Sequence, residues 1–332
     1  MKAIVITDHK EEPIAIQEME KPNPGKGEVR VAIKAAALNR RDQWMREGKY
    51  PNIQPNTILG SDGAGIVESL GENVDEQWLG KEVIINPNIN WGDHPEVQSA
   101  DYHILGMPTH GTLAEFVVVN ADRLAEKPSF LSWEASAALP LAGLTAYRAV
   151  FTHGKVSAGQ RVLISGAGGG VAQFAFLFAQ AVGAEVAVTS GNEPKRQHFI
   201  NAGASAAYNY HDDGWWKQAL KETGGFDVVI DSAGGAGIND FIKIMNPAGR
   251  IVFYGATTGL PPHIDLYRMF WNQITLQGST MGNDEEFIKM IDLVKDKQIQ
   301  PTLAQVRPLS EALSSFSEMK AGKGLGKYVL IP

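Results

Sequence analysis

Residues 161–190 read RVLISGAGGGVAQFAFLFAQAVGAEVAVTS. A short β-rich run, 161–165, leads into a glycine turn, an apolar helical run and a second β-rich run, 185–190. Strand, glycine turn and helix in that order make a site for phosphate. The glycines let the backbone approach a pyrophosphate, and the helix N-terminus offers free N–H groups and a partial positive charge. Set inside a strand–turn–helix–strand of the right length, the turn implies dinucleotide binding. Taken alone, it is also the turn of an ordinary βαβ unit. Aligned on the helix it reads Ala167-x-Gly169-x-x-Ala172, with alanine at both outer positions.

Strand and helix signals go on alternating downstream: EVAVTS, a helix, AAYNY, a helix, FDVVIDS, a helix, RIVFYG, then ITLQGS. That alternation predicts a parallel, doubly wound sheet and an α/β fold. Upstream the texture differs. Residues 1–120 hold short β-rich runs, AIVIT, EVRVAIKAAAL, AGIVESLG, KEVIINP and LAEFVVV, separated by Gly, Pro, Asn and Asp turns. Residues 86–111 form a polar, loop-like insert too long for a simple turn. A helical pattern begins at Trp133, WEASAALPLAGLTAYRAVF, and the chain closes on a strand-like GKYVLIP.

A chain of 332 residues exceeds one ordinary core, so two domains are expected. The net charge of −7 and the absence of any long basic run argue against nucleic acid as a partner. There is no cysteine, which removes disulfides, thiol nucleophiles and thiolate metal ligands. The opening MKAIVI is strand-like and no signal-peptide h-region follows it. No stretch reaches the roughly 18 apolar residues of a membrane span. A cytoplasmic protein is the expectation.

The chain resembles the medium-chain dehydrogenase/reductase superfamily, and within it the zinc-free, quinone-oxidoreductase-like branch. The resemblance rests on the order and spacing of AAALNRRDQWMREGKYP (35–51), LGSDGAGIVESLG (59–71), LPLAGLTAYRAV (139–150), the glycine turn, NY (209–210) and GKYVLIP (326–332). It implies a GroES-like catalytic domain, 1–124 plus 283–332, with a Rossmann NADP-binding domain, 125–282, inserted into it. The alanines at 167 and 172 fit this branch better than the zinc alcohol dehydrogenases.

The zinc members of the superfamily carry three ligands at positions that here hold Asn39, Ser61 and Leu141. Catalytic zinc needs about three N, O or S ligands, and leucine offers none. No metal is expected. The insert at 86–111 matches a lobe that elsewhere holds four structural cysteines. His94, His103 and His110 fall in it, which leaves a histidine site conceivable beside plain solvated histidines.

For the cofactor, NAD specificity normally needs an Asp or Glu at the end of the second strand. Ser190 stands there, followed by Gly191, and Lys195 and Arg196 open the next helix, where cations meet a 2′-phosphate. Tyr210 matches a tyrosine that supports the adenosine phosphate in the resembling reductases. NADPH is therefore expected. The resemblance further implies that Thr145 faces the nicotinamide amide and that Gly169, Gly170 and Val171 present the turn. By it, Tyr254, Gly255, Ser279 and Thr280 border the nicotinamide, and Arg40 and Lys327 lie near the pyrophosphate. An exposed C-terminal lysine is the other reading of Lys327.

The resemblance also bears on the reaction. Without zinc an unactivated alcohol or ketone is a poor substrate. The zinc enzymes' proton-relay hydroxyl is here Arg41. A quinone or an α,β-unsaturated carbonyl accepts hydride readily, and hydrogen-bond donors can hold the resulting oxyanion while water supplies the proton. Asn39 and Tyr50 match polar active-site positions of quinone-reductase relatives, and are the expected catalytic residues. Another tyrosine of that family appears here as Trp44, which keeps a stacking surface but changes the polar tip. With Asp62 it is placed in the substrate pocket, although Asp62 also reads as the tether of a loop or basic neighbour. Tyr50 reads equally as an aromatic anchoring the turn before Pro51, and Asn39 as a turn cap. Two other functions stay open: carbonyl or alcohol chemistry through another proton donor, and a weakly catalytic NADPH-binding protein with a structural or RNA-associated role. The apolar run 274–278 reads as a sheet edge that pairs across a two-fold axis, so a homodimer is expected.

Overall fold

The computed structural model describes residues 1–9 and 11–332. The chain divides into two units, Met1–Leu144 with Gly282–Pro332, and Thr145–Met281. The C-terminal junction falls one residue from the expected one. The N-terminal junction lies at 144/145 rather than 124/125, because the helix Trp133–Ala137 packs on strands of the first unit.

The first unit is β-rich. Its strands are β1 (Lys2–Ile6), β2 (Ile14–Glu18), β3 (Glu28–Ala37), β4 (Asp62–Leu70), β5 (Glu82–Ile85), β6 (Asn88–Ile89), β7 (His103–Ile104), β8 (Phe116–Asn120) and β9 (Leu124–Glu126). The second unit supplies β10–β15, and β16 (Leu303–Pro308) and β17 (Lys327–Ile331) return to the first. The main sheet runs β16-β17-β3-β4-β5-β9, with β8 also on β3. β3 alternates as a half-buried strand should: Val29, Val31 and Ile33 face the core while Arg30 and Lys34 do not. Its last three residues, all alanine, are wholly buried. Gly65 on β4 is required by its neighbour, since a Cβ there would sit 2.2 Å from the Ala32 carbonyl oxygen.

β3 leads through Leu38 and Asn39 into helix α1 (Arg40–Arg46). Asn39 is the N-cap, with extended backbone, and the Asp42 carboxylate accepts the Asn39 N–H at 2.7 Å. The helical texture from Trp133 is broken by Pro140, which opens a new helix where its missing N–H is harmless. It becomes α2 (Trp133–Ala137) and α3 (Pro140–Tyr147), continued by a π-helical turn, Arg148–His153.

The 86–111 insert carries only the short β6–β7 pair. Its base is fastened to the start of a later helix, Asp284–Lys297, by one carboxylate. Arg123 grips Asp284 with two N–H groups, at 2.7 and 2.8 Å, and the amides of Asn86 and Asn88 each donate to it at 2.9 Å. Burial works against the Asp284 carboxylate, but the Arg123 fork and the amides outweigh it and hold its pKa below the usual range. The three histidines of the insert are engaged locally. His110 Nδ1 accepts from Ile58 N–H, His94 Nδ1 accepts from Glu96 N–H, and His103 Nδ1 pairs with the Asp101 carbonyl. Among the described residues no group of three or more His, Cys, Asp or Glu is placed to hold a metal.

In the second unit the alternation folds as read. β10 (Arg161–Ile164), β11 (Glu185–Thr189), β12 (Ala206–Tyr208), β13 (Phe226–Asp231), β14 (Met245–Phe253) and β15 (Thr275–Gly278) form one parallel sheet in the order β12-β11-β10-β13-β14-β15. That is the doubly wound nucleotide-binding order, with its topological switch between β10 and β13. α4 (Gly170–Ala181) follows the glycine turn and buries Phe174, Ala175, Phe178 and Ala179. α5 (Glu193–Asn201), α6 (Trp215–Thr223) and α7 (Gly237–Ile244) complete the repeating crossovers, and α8 (Leu266–Trp271) precedes the edge strand β15. α9 (Asp284–Lys297) and α10 (Ala312–Lys320) belong to the first unit. No helix among the described residues is long and apolar enough to cross a membrane.

Candidate active site

At the end of β3 the chain buries polar side chains together. Lys327, the first residue of β17, is 3 % exposed, and its ammonium donates to Asp62 Oδ2 at 2.8 Å and to Asn39 Oδ1 at 2.6 Å. Asn39 Nδ2 also donates to Asp62 Oδ2, at 2.9 Å. The other carboxylate oxygen, Oδ1, accepts the Leu141 N–H at 2.7 Å. Asp62 is therefore a fully buried hub that ties Lys327, Asn39 and the start of α3 together.

These contacts revise two expected roles. The Lys327 ammonium is not exposed but buried, and it is hydrogen-bonded to Asp62 and Asn39. The Asn39 carboxamide is committed to the same pair, so its oxygen and one N–H are not available to a developing oxyanion. Arg40 is exposed at the start of α1.

Beside this hub lies a second one. Arg41 is buried, and its Nη1 donates to Ser61 Oγ at 2.6 Å and to the Leu105 carbonyl at 2.9 Å. Ser61 Oγ itself donates to Leu105 O at 2.8 Å. Arg41 Nε donates to the Tyr50 hydroxyl oxygen at 3.3 Å. Tyr50 and Trp44 are half-buried. Arg41 was not among the expected site residues. Its signal was its place one turn after a run of buried alanines, where the first turn of α1 inherits their burial. Asp42 is completely buried next to it, and burial pushes its carboxyl up to about 6 against a pull downward from Arg41.

A zinc ion does not fit this donor set. The Leu141 side chain has no donor atom for a metal, the Ser61 hydroxyl is engaged with Arg41 and Leu105, and the Asn39 oxygen faces an ammonium. Two cationic side chains already contact the residues at the ligand positions.

The second unit carries the dinucleotide features. Gly166 and Gly168 take positive φ, +60° and +133°. A Cβ at Gly168 would lie 2.7 Å from Lys195 Cδ, so the Lys195 stem passes close over the turn. Gly169 is the N-cap of α4, and Gly170 and Val171 open its first turn, whose N–H groups face outward from the helix end. Ser190 ends β11 and is buried. Its Oγ accepts from Asn192 N–H at 3.3 Å. Arg196 is bound back to the Ser190 carbonyl at 2.6 Å and to Glu193, so Lys195 is the cation that reaches the turn. Tyr210 is exposed and stacks edge-on against His211, with Gly191 packed beneath both.

The strand ends around the switch point are laced together. Ser165 Oγ bonds to buried Asp231, which also accepts N–H groups from Gly234 at 2.7 Å and Ala233 at 3.1 Å. Burial raises the Asp231 carboxyl, and these donors moderate the rise. Tyr254 and Gly255 follow β14, and burial raises the Tyr254 phenol. Ser279 is buried with no partner for its hydroxyl among the described residues, and Thr280 beside it is exposed. Thr145 Oγ1 lies 3.7 Å from Met281 Sδ. The turn, the helix end and a β11 terminus without a carboxylate fit a nicotinamide dinucleotide, which Gly169, Gly170, Val171 and Ser190 would hold.

A buried polar hub on a GroES-like β unit and a six-stranded dinucleotide fold together define a class of nucleotide-dependent oxidoreductases. Residues 25–129 match the family described as alcohol dehydrogenase GroES-like domain, and residues 170–296 the family described as zinc-binding dehydrogenase. A zinc-type alcohol dehydrogenase-like protein, YogA, of Leptosphaeria maculans is 33% identical over 96% of this chain and 94% of its own. The crotonyl-CoA carboxylase/reductase of Cereibacter sphaeroides is 29% identical over 93% of this chain and 81% of its own. The crystal structure of an NAD-dependent alcohol dehydrogenase matches with a TM-score of 0.94 at 34% identity, over 100% of both chains. The chain belongs to the medium-chain dehydrogenase/reductase superfamily, as an oxidoreductase that uses a nicotinamide cofactor.

Proposed function

We propose that this protein is a zinc-independent, quinone-oxidoreductase-like reductase that uses NADPH to reduce a quinone or an α,β-unsaturated carbonyl. The observation that carries the reading is the replacement of a ligand set at positions 39, 61 and 141 by side chains engaged with Lys327 and Arg41. An acceptor that needs no metal activation suits such a site. Bound NADPH supplies the hydride. The Tyr50 hydroxyl donates a hydrogen bond to the acceptor oxygen as negative charge develops there, and water returns the proton to the reduced product. Asn39 and Asp62 keep Lys327 in place behind the first turn of α1. Ser190 leaves room for a 2′-phosphate, and Lys195 supplies positive charge.

Two measurements test the reading together. Metal analysis is expected to find no stoichiometric zinc, and NADPH oxidation is expected with quinones and alkenals but not with simple alcohols or ketones. Stoichiometric zinc with alcohol oxidation overturns it. On the coenzyme, kcat/KM is expected to favour NADPH strongly, and comparable values with NADH defeat that part.

A homodimer is proposed on the second unit's edge. β15 ends the sheet with one side unpaired, and α8 just before it exposes Leu266, Tyr267, Phe270 and Trp271, each at least 64 % exposed. Edge strands and apolar patches of this kind call for cover. Sedimentation at micromolar concentration is expected to give a dimer that Trp271→Glu dissociates. A clean wild-type monomer refutes the pairing.

A further inference from the structure

The geometry points to Arg41 as the positioning residue that presents the Tyr50 hydroxyl to the substrate's oxygen. The inference rests on the proposed reduction and deepens it by assigning the group that orients its donor. Arg41 is 6 % exposed. Its Nη1 is pinned by Ser61 Oγ at 2.6 Å and Leu105 O at 2.9 Å, which fixes the plane of the guanidinium. From that plane Nε donates to the Tyr50 oxygen at 3.3 Å, and the guanidinium carbon lies 4.9 Å from the ring centroid.

A phenol oxygen has one hydrogen to give and lone pairs to receive with. Arg41 has only hydrogens to give. Its contact therefore occupies a lone pair of Tyr50 and turns the O–H away from the guanidinium. Among the described residues that hydroxyl has no other hydrogen-bond partner, and the ring is half-buried, so the O–H is left for an incoming oxygen. Arg41 forms no ion pair with a carboxylate among the described residues, and its Nη2 has no acceptor. Its positive charge, which also acts on the buried Asp42 carboxyl, lies beside the oxygen on which negative charge develops. An ammonium could not make this arrangement, because the rigid fork reaches Ser61, Leu105 and Tyr50 at once.

The test is a double-mutant cycle on kcat with a quinone and an alkenal as acceptors. Arg41→Met and Tyr50→Phe are each expected to lower kcat by about a hundredfold with little change in KM, the scale of losing one oxyanion donor. Because Arg41 acts through Tyr50, the double variant is expected to be no slower than Tyr50→Phe. Additive losses overturn the proposal, as does an Arg41→Met enzyme with wild-type kcat. Arg41→Lys is expected to recover little of the lost rate, and full recovery also overturns it. Thermal midpoint and NADPH affinity show whether the Met variant has folded, and Arg41→Gln replaces it if not. A readout independent of turnover is the 19F resonance of 3-fluorotyrosine at position 50, assigned by its loss in Tyr50→Phe. It is expected to shift and broaden in Arg41→Met, and an unchanged resonance overturns the positioning. If wild type reduces none of the acceptors, the proposed reaction fails and Arg41's kinetic role with it, while the 19F signal still decides whether Arg41 fixes Tyr50.

Discussion

Lys327→Met is expected to destabilise the first unit by about 3–5 kcal/mol, the cost of stranding a buried charge. The ammonium makes two contacts under 3 Å, to Asp62 and Asn39, and both Lys327 and Asp62 are almost sealed from solvent. Without it, Asp62 keeps only the Asn39 amide and the Leu141 N–H. Those are neutral donors, and they do not offset a carboxylate in a dry interior. Removing both charges should be far milder. Lys327→Met with Asp62→Leu is expected to recover most of the loss, because a well-packed apolar pair avoids desolvation altogether. Hydrogen exchange at residues 35–39 measures this in the first unit alone. A loss under about 1 kcal/mol for the single variant would show that the pair does not hold the hub together.

Asp42 gives the second large effect, and its sign runs opposite to that of an ordinary carboxylate. Burial lifts its pKa in the folded protein from 3.8 to about 6. The folded state therefore holds a proton that the unfolded state has released. Stability from this group is fully present below about pH 4 and is lost as pH rises through about 6, by about 3 kcal/mol in total. Asp42→Asn removes the titration. The Asn39 N–H keeps an acceptor in the new amide oxygen, whereas Oδ1 of Asp42 has no partner among the described residues. The wild-type stability of the first unit is thus expected to fall between pH 4 and 7 by that margin more than the variant's. Chemical denaturation followed at several pH values checks it, and parallel pH profiles for the two proteins would refute it.

Much of the fold was legible because it is local. The alternation from 161 onward marked six strands that form one parallel sheet, and the glycine turn fell at the N-terminus of α4. Departures came where local signals conflict. Pro140 split one helical pattern in two, and β14 begins at Met245, before RIVFYG, with Ala248 at positive φ. The site was less legible because it is non-local. Lys327 and Asn39 touch across 288 positions of sequence, and no spacing rule connects them. Their resemblance-based roles placed both at substrate or cofactor, whereas burial gives them to each other. Arg41 was read as a lost relay hydroxyl. Only its three acceptors, from Ser61, Leu105 and Tyr50, reveal what the guanidinium does instead.

The Arg123–Asp284 grip on the 86–111 lobe has a consequence for durability. Four nitrogen donors on one carboxylate do the fastening, and neither thiols nor a metal ion take part. Such a joint has nothing for peroxide to oxidise and nothing for a chelator to extract. Its vulnerability lies instead in acid and in high ionic strength, which weaken a carboxylate–guanidinium contact that is partly open to solvent. The attachment of the lobe is thus expected to depend on ionic conditions.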